Sequence, residues 1–410
     1  MAALPLPRAF DPLRTRRLAD ALVVATAVSL PWSTSVAGIL AALWLIALIP
    51  TIDWPDLRRI VLSAAGGLPI FLVLLGVAGM LWADVSWAER WDGVVSFLKL
   101  LTIPLLFFQF SRSERGVDVF AAYLIACLAL LLASFLLVLW PALPHTAPDY
   151  GVIVRNAASQ SGEFAICIAG LLYVARETVS CRYYALAAAT AAAMLAMLAD
   201  IVFVANGRTA LVILLALVLV FALTRLSLRN GTLFVAAAAV IVIGTWLSSS
   251  YLRERVQQIW TEAQVYEQTD ARNSSGERIE FARKSLAFIR EAPLVGHGAG
   301  SIHAEFEKAA AGHSGAQGVA STNPHNQTFA VGIQLGLIGM AVLWAMWIAH
   351  LWLFRGAGLA AWVGLLIVVQ NIVGSMFNSH LFDFLQGWTY VIGVGVAGGM
   401  MLRARSGKRA

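Results

Sequence analysis

The sequence predicts an all-α fold: a polytopic integral membrane protein of about twelve transmembrane helices, with one large polar loop between the ninth and tenth. Three observations carry that reading. Of 410 residues, 60% are hydrophobic and 13% charged, whereas soluble domains carry about 25% charged residues. Apolar runs of spanning length recur along the whole chain. Arginines gather in every second connection between those runs.

The runs fall near 18–34, 36–52, 60–82, 93–110, 117–140, 158–175, 183–204, 209–224, 231–251, 325–353, 357–376 and 386–402. They run from 16 to 29 residues, and about 17–25 suffice to cross a hydrocarbon core. The first begins near Leu18, has no A-x-A-type site after it and is followed by many others. It reads as a retained span, not a cleaved signal. The connection to the second, around Ser33–Ser35, is very short.

Orientation follows from the cations. With the N-terminus in the cytoplasm, the inner segments hold Arg8, Arg14, Arg16 and Arg17; Arg58 and Arg59; Arg112 and Arg115; Arg176 and Arg182; Arg225 and Arg229; Arg355; and Arg403, Arg405, Lys408 and Arg409. The short outer connections hold only Arg90, Arg155 and Arg208. Both termini are therefore expected inside and the long loop outside. The expected division is 1–251 for the first nine spans, 252–324 for the outer loop with its amphipathic helices, and 325–410 for the last three spans and tail. The net charge of +6 belongs to this orienting pattern and points to a bilayer, not to nucleic acid.

Cys127, Cys167 and Cys181 lie in or beside apolar segments at scattered spacings. They read as small core residues, with no disulfide framework or zinc site. Among the histidines, His297 and His303 straddle a glycine turn, and no pair has ligand spacing. Neither a metal nor any other cofactor is expected.

The outer connections hold the candidate chemistry. Trp82, Trp87 and Trp91 in the first read as headgroup-level anchors. The proline-rich connection 141–157, with His145, Asp149 and Arg155, reads as a shaped turn. In Asn206-Gly207-Arg208-Thr209, an arginine close to the bilayer is costly and suits anion binding, or pairing with an acid. In the long loop, Ile279, Ala282, Leu286 and Ile289 recur at helical spacing, predicting an amphipathic helix over 276–290. Pro293-Leu294-Val295-Gly296-His297-Gly298 then makes a turn whose glycines allow close backbone approach, which at Gly298 suits a phosphate.

Asn323-Pro324-His325-Asn326 opens the tenth span. Asn323 is expected as its N-cap with Pro324 at the first helical position. His325 then falls in the first turn, where the helix dipole disfavours imidazolium. A neutral histidine at a membrane surface is a candidate general base, or else a helix-end anchor. Within the spans, Lys99, Glu163 and Asp200 offer a different reading, the ion path of a transporter. No internal repeat accompanies it.

His325-Asn326 is followed after nine residues by Gly336-Leu337-Ile338-Gly339. This resembles the histidine-and-glycine motif of O-antigen ligases, in the superfamily that includes O-antigen polymerases and protein O-oligosaccharyltransferases. The large loop before the tenth span and the Pro293–Gly298 turn are similar too. The resemblance implies transfer of a polysaccharide from undecaprenyl diphosphate to lipid A–core on the periplasmic face of the inner membrane, by a monomer. Arg208 matches the family's membrane-proximal arginine and Arg278 its loop arginine, both set to hold the diphosphate, with His325 as base in a metal-independent, inverting attack. Asn323, Asn326, Arg155 and Gly298 are the accompanying candidates for substrate contacts, and the two asparagines read equally as helix-end or ring-positioning residues. Gly336 and Gly339 are expected to let span ten pack closely. The spacing alone leaves open whether Arg208, Arg278 and His325 meet.

Overall fold

A computed structural model describes residues 12–143, 151–153, 155–248 and 250–406. Arg8, His145, Asp149, Lys408 and Arg409, weighed above, lie outside the described residues. The helices are α1 Pro12–Ser29, α2 Thr34–Leu48, α3 Trp54–Val61, α4 Ala64–Gly79, α5 Trp87–Leu98, α6 Thr102–Phe110, α7 Gly116–Leu139, α8 Ala157–Ser180, α9 Tyr184–Ala199, α10 Arg208–Arg225, α11 Leu228–Ser248, α12 Ser250–Thr269, α13 Ser274–Glu291, α14 Ile302–Ala310, α15 Gln327–Leu353, α16 Leu359–Gly374 and α17 Phe384–Ser406. Among the described residues there is no strand. The protein is all-α and polytopic.

Nine helical stretches among the described residues are long and apolar enough to cross a bilayer, and ten if α3 and α4, bent by 80°, form one broken span. The bend has a local cause: α3 ends with Leu62 as its C-cap, and the next residue, Ser63, caps α4, its Oγ accepting the Gly66 N–H at 3.2 Å. The other two expected runs form α1, whose first turns carry Arg14, Arg16 and Arg17, and α16, only 16 residues long. The number twelve therefore does not follow from the helices by themselves.

The core lies where α17 packs along α6 and α16. Gly395, Gly398 and Gly399 present bare backbone to Leu106, Phe107 and Phe110, and a Cβ at any of them would collide with those side chains. Close approach of this kind drives helix association in lipid, where apolar burial adds little. Phe97, Phe107, Trp347, Trp362 and Tyr390 are completely enclosed. One end of the bundle is tied by arginines: Arg403 to Glu114 and the Ser113 carbonyl, Arg405 to the Leu353 carbonyl, and Arg112 to Asp56. At the opposite end, α8, α10, α15 and α17 begin, α16 finishes, and the loop helices α12–α14 sit.

Helix α13 forms as the 276–290 periodicity predicts, but of the expected stripe only Ile289 is fully buried, and the buried face is centred elsewhere. Phe281 and Phe288 pack with Phe306 of α14 and Ile333 of α15, while Ile279 and Leu286 stay exposed. The aromatic pair, two turns apart, has more surface to bury than the aliphatic stripe. Gly336 also departs from expectation. Its φ of 60° and ψ of −161° break α15. That conformation is open to glycine alone. The turn after α13 docks into the break: Leu337 N–H donates to the Pro293 carbonyl at 2.8 Å, and His297 N–H to that of Ile333 at 2.8 Å. Gly336 is thus a backbone joint where close helix packing was expected.

Candidate active site at the loop end of the bundle

Two asparagines compete to start α15. Asn326 wins: its Oδ1 accepts the N–H groups of Thr328 at 2.9 Å and Phe329 at 3.1 Å. Asn323 is therefore not the N-cap, Pro324 is not in the first turn, and His325 precedes the helix. Instead the Asn323 Oδ1 accepts the His325 N–H at 2.9 Å and the Ser379 hydroxyl at 2.7 Å. This side-chain turn over Pro324 leaves His325 at a left-handed φ of 54°, a conformation that costs free energy in a non-glycine residue.

The His325 ring is held from two sides. Phe281 of α13 stacks on it, with centroids 5.9 Å apart and planes within 17°. Nδ1 lies 3.0 Å from Asn378 Oδ1. The orientation of Asn378 follows from its other partners. Its Nδ2 donates to Asp383 Oδ2 at 2.7 Å, and its Oδ1 accepts from Asn323 Nδ2 at 2.8 Å. With the amide oxygen facing the ring, Nδ1 must carry the proton, and neutral His325 keeps its lone pair on Nε2. Burial pushes the His325 pKa below the ordinary value, and the Arg278 charge pushes it further. The Asn378 hydrogen bond opposes both. The shift favours the neutral ring, and its causes are desolvation and a guanidinium, not a first-turn dipole.

Arg278 lies one turn before Phe281 on α13, so a single helix carries both neighbours of the histidine. Its Nη1 donates to the Phe377 carbonyl at 2.9 Å. Desolvation lowers its pKa, and the charge of Arg208 adds to this. Arg208 is the first residue of α10, after Asn206 at φ 55°. Among the described residues, no carboxylate lies within ion-pair distance of either arginine. The two cations face each other's field unpaired, a standing preference for an anion.

A cavity of about 420 Å³ joins these groups, with Arg155, Glu163, Arg278, His325, Asn378 and Asp383 in its wall. Thr209, next to Arg208, lines it as well. Arg155 donates to the Leu30 carbonyl at 3.3 Å. Burial lowers its pKa while Glu163 works the other way. The 375–383 connection forming one wall is strapped down. Gln327 Oε1 accepts the N–H groups of Leu381 and Phe382, and Lys99 Nζ donates to the carbonyls of Phe382 at 3.0 Å and Asp383 at 2.9 Å. Burial raises the Asp383 pKa to about 6 against the pull of Lys99.

Not every expected residue arrives. Gly298 lines neither this cavity nor the neighbouring one of about 400 Å³ that shares Asp383 and Asn323's side of the wall. Its N–H donates to the Gln334 carbonyl at 2.9 Å, and a Cβ there would strike Ala83. Gly298 is thus a packing glycine where a substrate contact was expected. Asn326 spends its oxygen on the cap. Asn378, Ser379 and Asp383 were missed, since nothing near them in sequence links them to a histidine more than fifty residues away. Away from the cavity, Glu291, His297 and Glu305 bring ligand atoms within 4.8 Å of one another. There Glu305 already accepts from Lys308 at 2.9 Å, and His297 Nε2 meets the Phe288 carbonyl.

Lys99, Glu163 and Asp200 do not line up. Lys99 holds the 382–383 backbone, Glu163 faces the cavity, and Asp200 is bonded to Ser134 and Gln160.

Residues 192–344 match the family model described as O-antigen ligase. That stretch contains Arg208, Arg278, Gly298, Asn323, His325 and Asn326; Arg155 and Asn378 lie outside it. No curated protein matches the chain.

Proposed function

Because the chain belongs to the O-antigen ligase superfamily, whose transferases are of ligase or polymerase type and act on lipid-linked substrates in a bilayer, we propose that it is an O-antigen ligase. In this reading it moves O-antigen polysaccharide from undecaprenyl diphosphate to a sugar of lipid A–core. The reaction takes place on the periplasmic face of the inner membrane, with both termini in the cytoplasm. One observation supports it above the others: His325 and Arg278 share one cavity, with Arg208 in electrostatic reach.

The chemistry asks for a base on one partner and charge stabilisation on the other. The acceptor hydroxyl oxygen attacks the anomeric carbon while its proton passes to His325 Nε2. The bond from that carbon to the diphosphate breaks, its electron pair leaving with undecaprenyl diphosphate. Single displacement inverts the anomeric centre. The leaving group is already a weak base, so holding its charge matters more than protonating it. Arg208 and Arg278 suit that task, being permanently charged and able to grip phosphate oxygens in pairs. Two guanidiniums can do what a divalent metal does elsewhere, so no metal enters the scheme. Asn378 fixes the tautomer of His325, and Arg155 adds positive charge to the same wall.

The test is ligation by purified protein in EDTA, supplied with lipid-linked O-polysaccharide and lipid A–core. Wild type should build a high-mass ladder, and His325→Ala should lower its rate by about 10²–10⁴-fold. Equal ladders from both would make His325 structural. Elongation of lipid-linked glycan in place of transfer to lipid A–core would assign the chain to the polymerases.

A further inference from the structure

The inner end of the cavity contains polar groups that the transfer scheme leaves unused. Glu163 of α8, Gln370 of α16 and His380 of the 375–383 connection all line it. Each is at least nine-tenths buried, at 3%, 1% and 7% exposure. Glu163 Oε1, Gln370 Oε1 and His380 Nδ1 have no hydrogen-bond partner among the described residues. Buried polar atoms are otherwise nearly always satisfied. Three orphans from three separate elements, on side chains that border one cavity, leave bonding capacity beside it for a polar ligand.

The type of ligand follows from the atoms. Burial holds the His380 pKa at about 4, so the ring is neutral and offers one donor and one acceptor. The Gln370 oxygen is an acceptor, and the Glu163 carboxyl accepts at one oxygen and, when protonated, donates from the other. Thr389 and Ser159 add hydroxyls to the same wall. A surface mainly of acceptors with a few two-way groups complements vicinal hydroxyls, each of which donates once and accepts. The Cε1–Nδ1 edge of the His380 ring abuts the bare backbone of Gly374, where a Cβ would collide with it. The imidazole is therefore locked in place before any ligand arrives.

We infer that Glu163, Gln370 and His380 form a sugar-binding floor, which holds the hydroxyls of the first donor sugar beneath the arginines. This rests on the donor reading above. The anomeric carbon of that sugar is bonded to the diphosphate, so a diphosphate held at Arg208 and Arg278 places the ring in this same cavity. Glu163 lies within the field of Arg155 on that wall, which joins floor and anion clamp in one recess. An acceptor sugar, by contrast, must approach His325 from outside the recess.

The experiment measures binding of two probes to the full chain in nanodiscs: undecaprenyl diphosphate alone, and undecaprenyl diphosphate carrying one sugar. Wild type should bind the sugar-bearing probe more tightly. Gln370→Leu should weaken that probe about tenfold and leave the sugar-free one unchanged. Glu163→Gln, nearly isosteric, should act in the same direction if Gln370→Leu does not give a monodisperse protein. Equal affinity of wild type for both probes overturns the floor, as does a variant that weakens both equally or neither. If wild type binds neither probe, the donor reading falls first and takes the floor with it. An Arg278→Ala control separates the two cases, because it should weaken both probes alike.

Discussion

A histidine acts as a base only when one ring nitrogen holds the proton and the other is open, and at His325 that choice belongs to Asn378. The amide cannot flip without facing its NH2 toward Asn323 Nδ2 and its oxygen toward Asp383. Two opposed substitutions test this arrangement through pH. Asn378→Leu removes a bond that raises the His325 pKa. The acid limb of kcat/KM should therefore move to lower pH while the maximum falls about 10²-fold. Arg278→Gln removes a charge that lowers the same pKa, so its limb should move to higher pH. A variant that merely loosens the fold would shift neither limb in a defined direction, and limbs that stay put would deny His325 the role of base. The histidine itself was legible from its motif. Its partner was not, because a hydrogen bond between residues 325 and 378 depends on how two helix ends meet, and no local pattern encodes that.

At the scale of elements, the start of α15 shows where local reasoning stops. Asn323 and Asn326 are both competent caps, and Pro324 suits a first turn, so propensity alone favours the earlier start. What decides is tertiary: Ser379 and the His325 N–H occupy the Asn323 oxygen, leaving Asn326 to cap. The buried face of α13 was missed for a related reason, since Phe281 and Phe288 face partners contributed by α14 and α15. A cap and a substrate contact predict different outcomes for Asn326. If Asn326 caps, Asn326→Ala should cost about 1 kcal/mol of stability, read as a lower Tm in detergent. Asn326→Ser, which keeps a capping oxygen, should recover most of it and ligate at close to the wild-type rate. A serine variant that is stable yet slow would return Asn326 to the substrate.

For the molecule as a whole, the most legible property was its partition between bilayer and water. Apolar runs locate the helices because an unpaired backbone in lipid is too costly for anything but a helix to cross. The bend between α3 and α4 and the break at Gly336 escaped, since both are joints within apolar sequence. Sidedness is the part of the reading on which the periplasmic proposal stands, and a native residue can report it. Cys181 ends α8 and is exposed, whereas Cys127 and Cys167 are buried. Across its 24 residues, α8 spans about 36 Å, separating Cys181 from the cavity that Asn156 and Ser159 line at the helix start. If the arginine-rich end is cytoplasmic, a membrane-impermeant maleimide should leave the protein unlabelled in intact spheroplasts and modify it once after lysis. Labelling from outside would turn the molecule over, placing His325 and its arginines on the cytoplasmic face. A ligase acting on periplasmic substrates could not then be the answer.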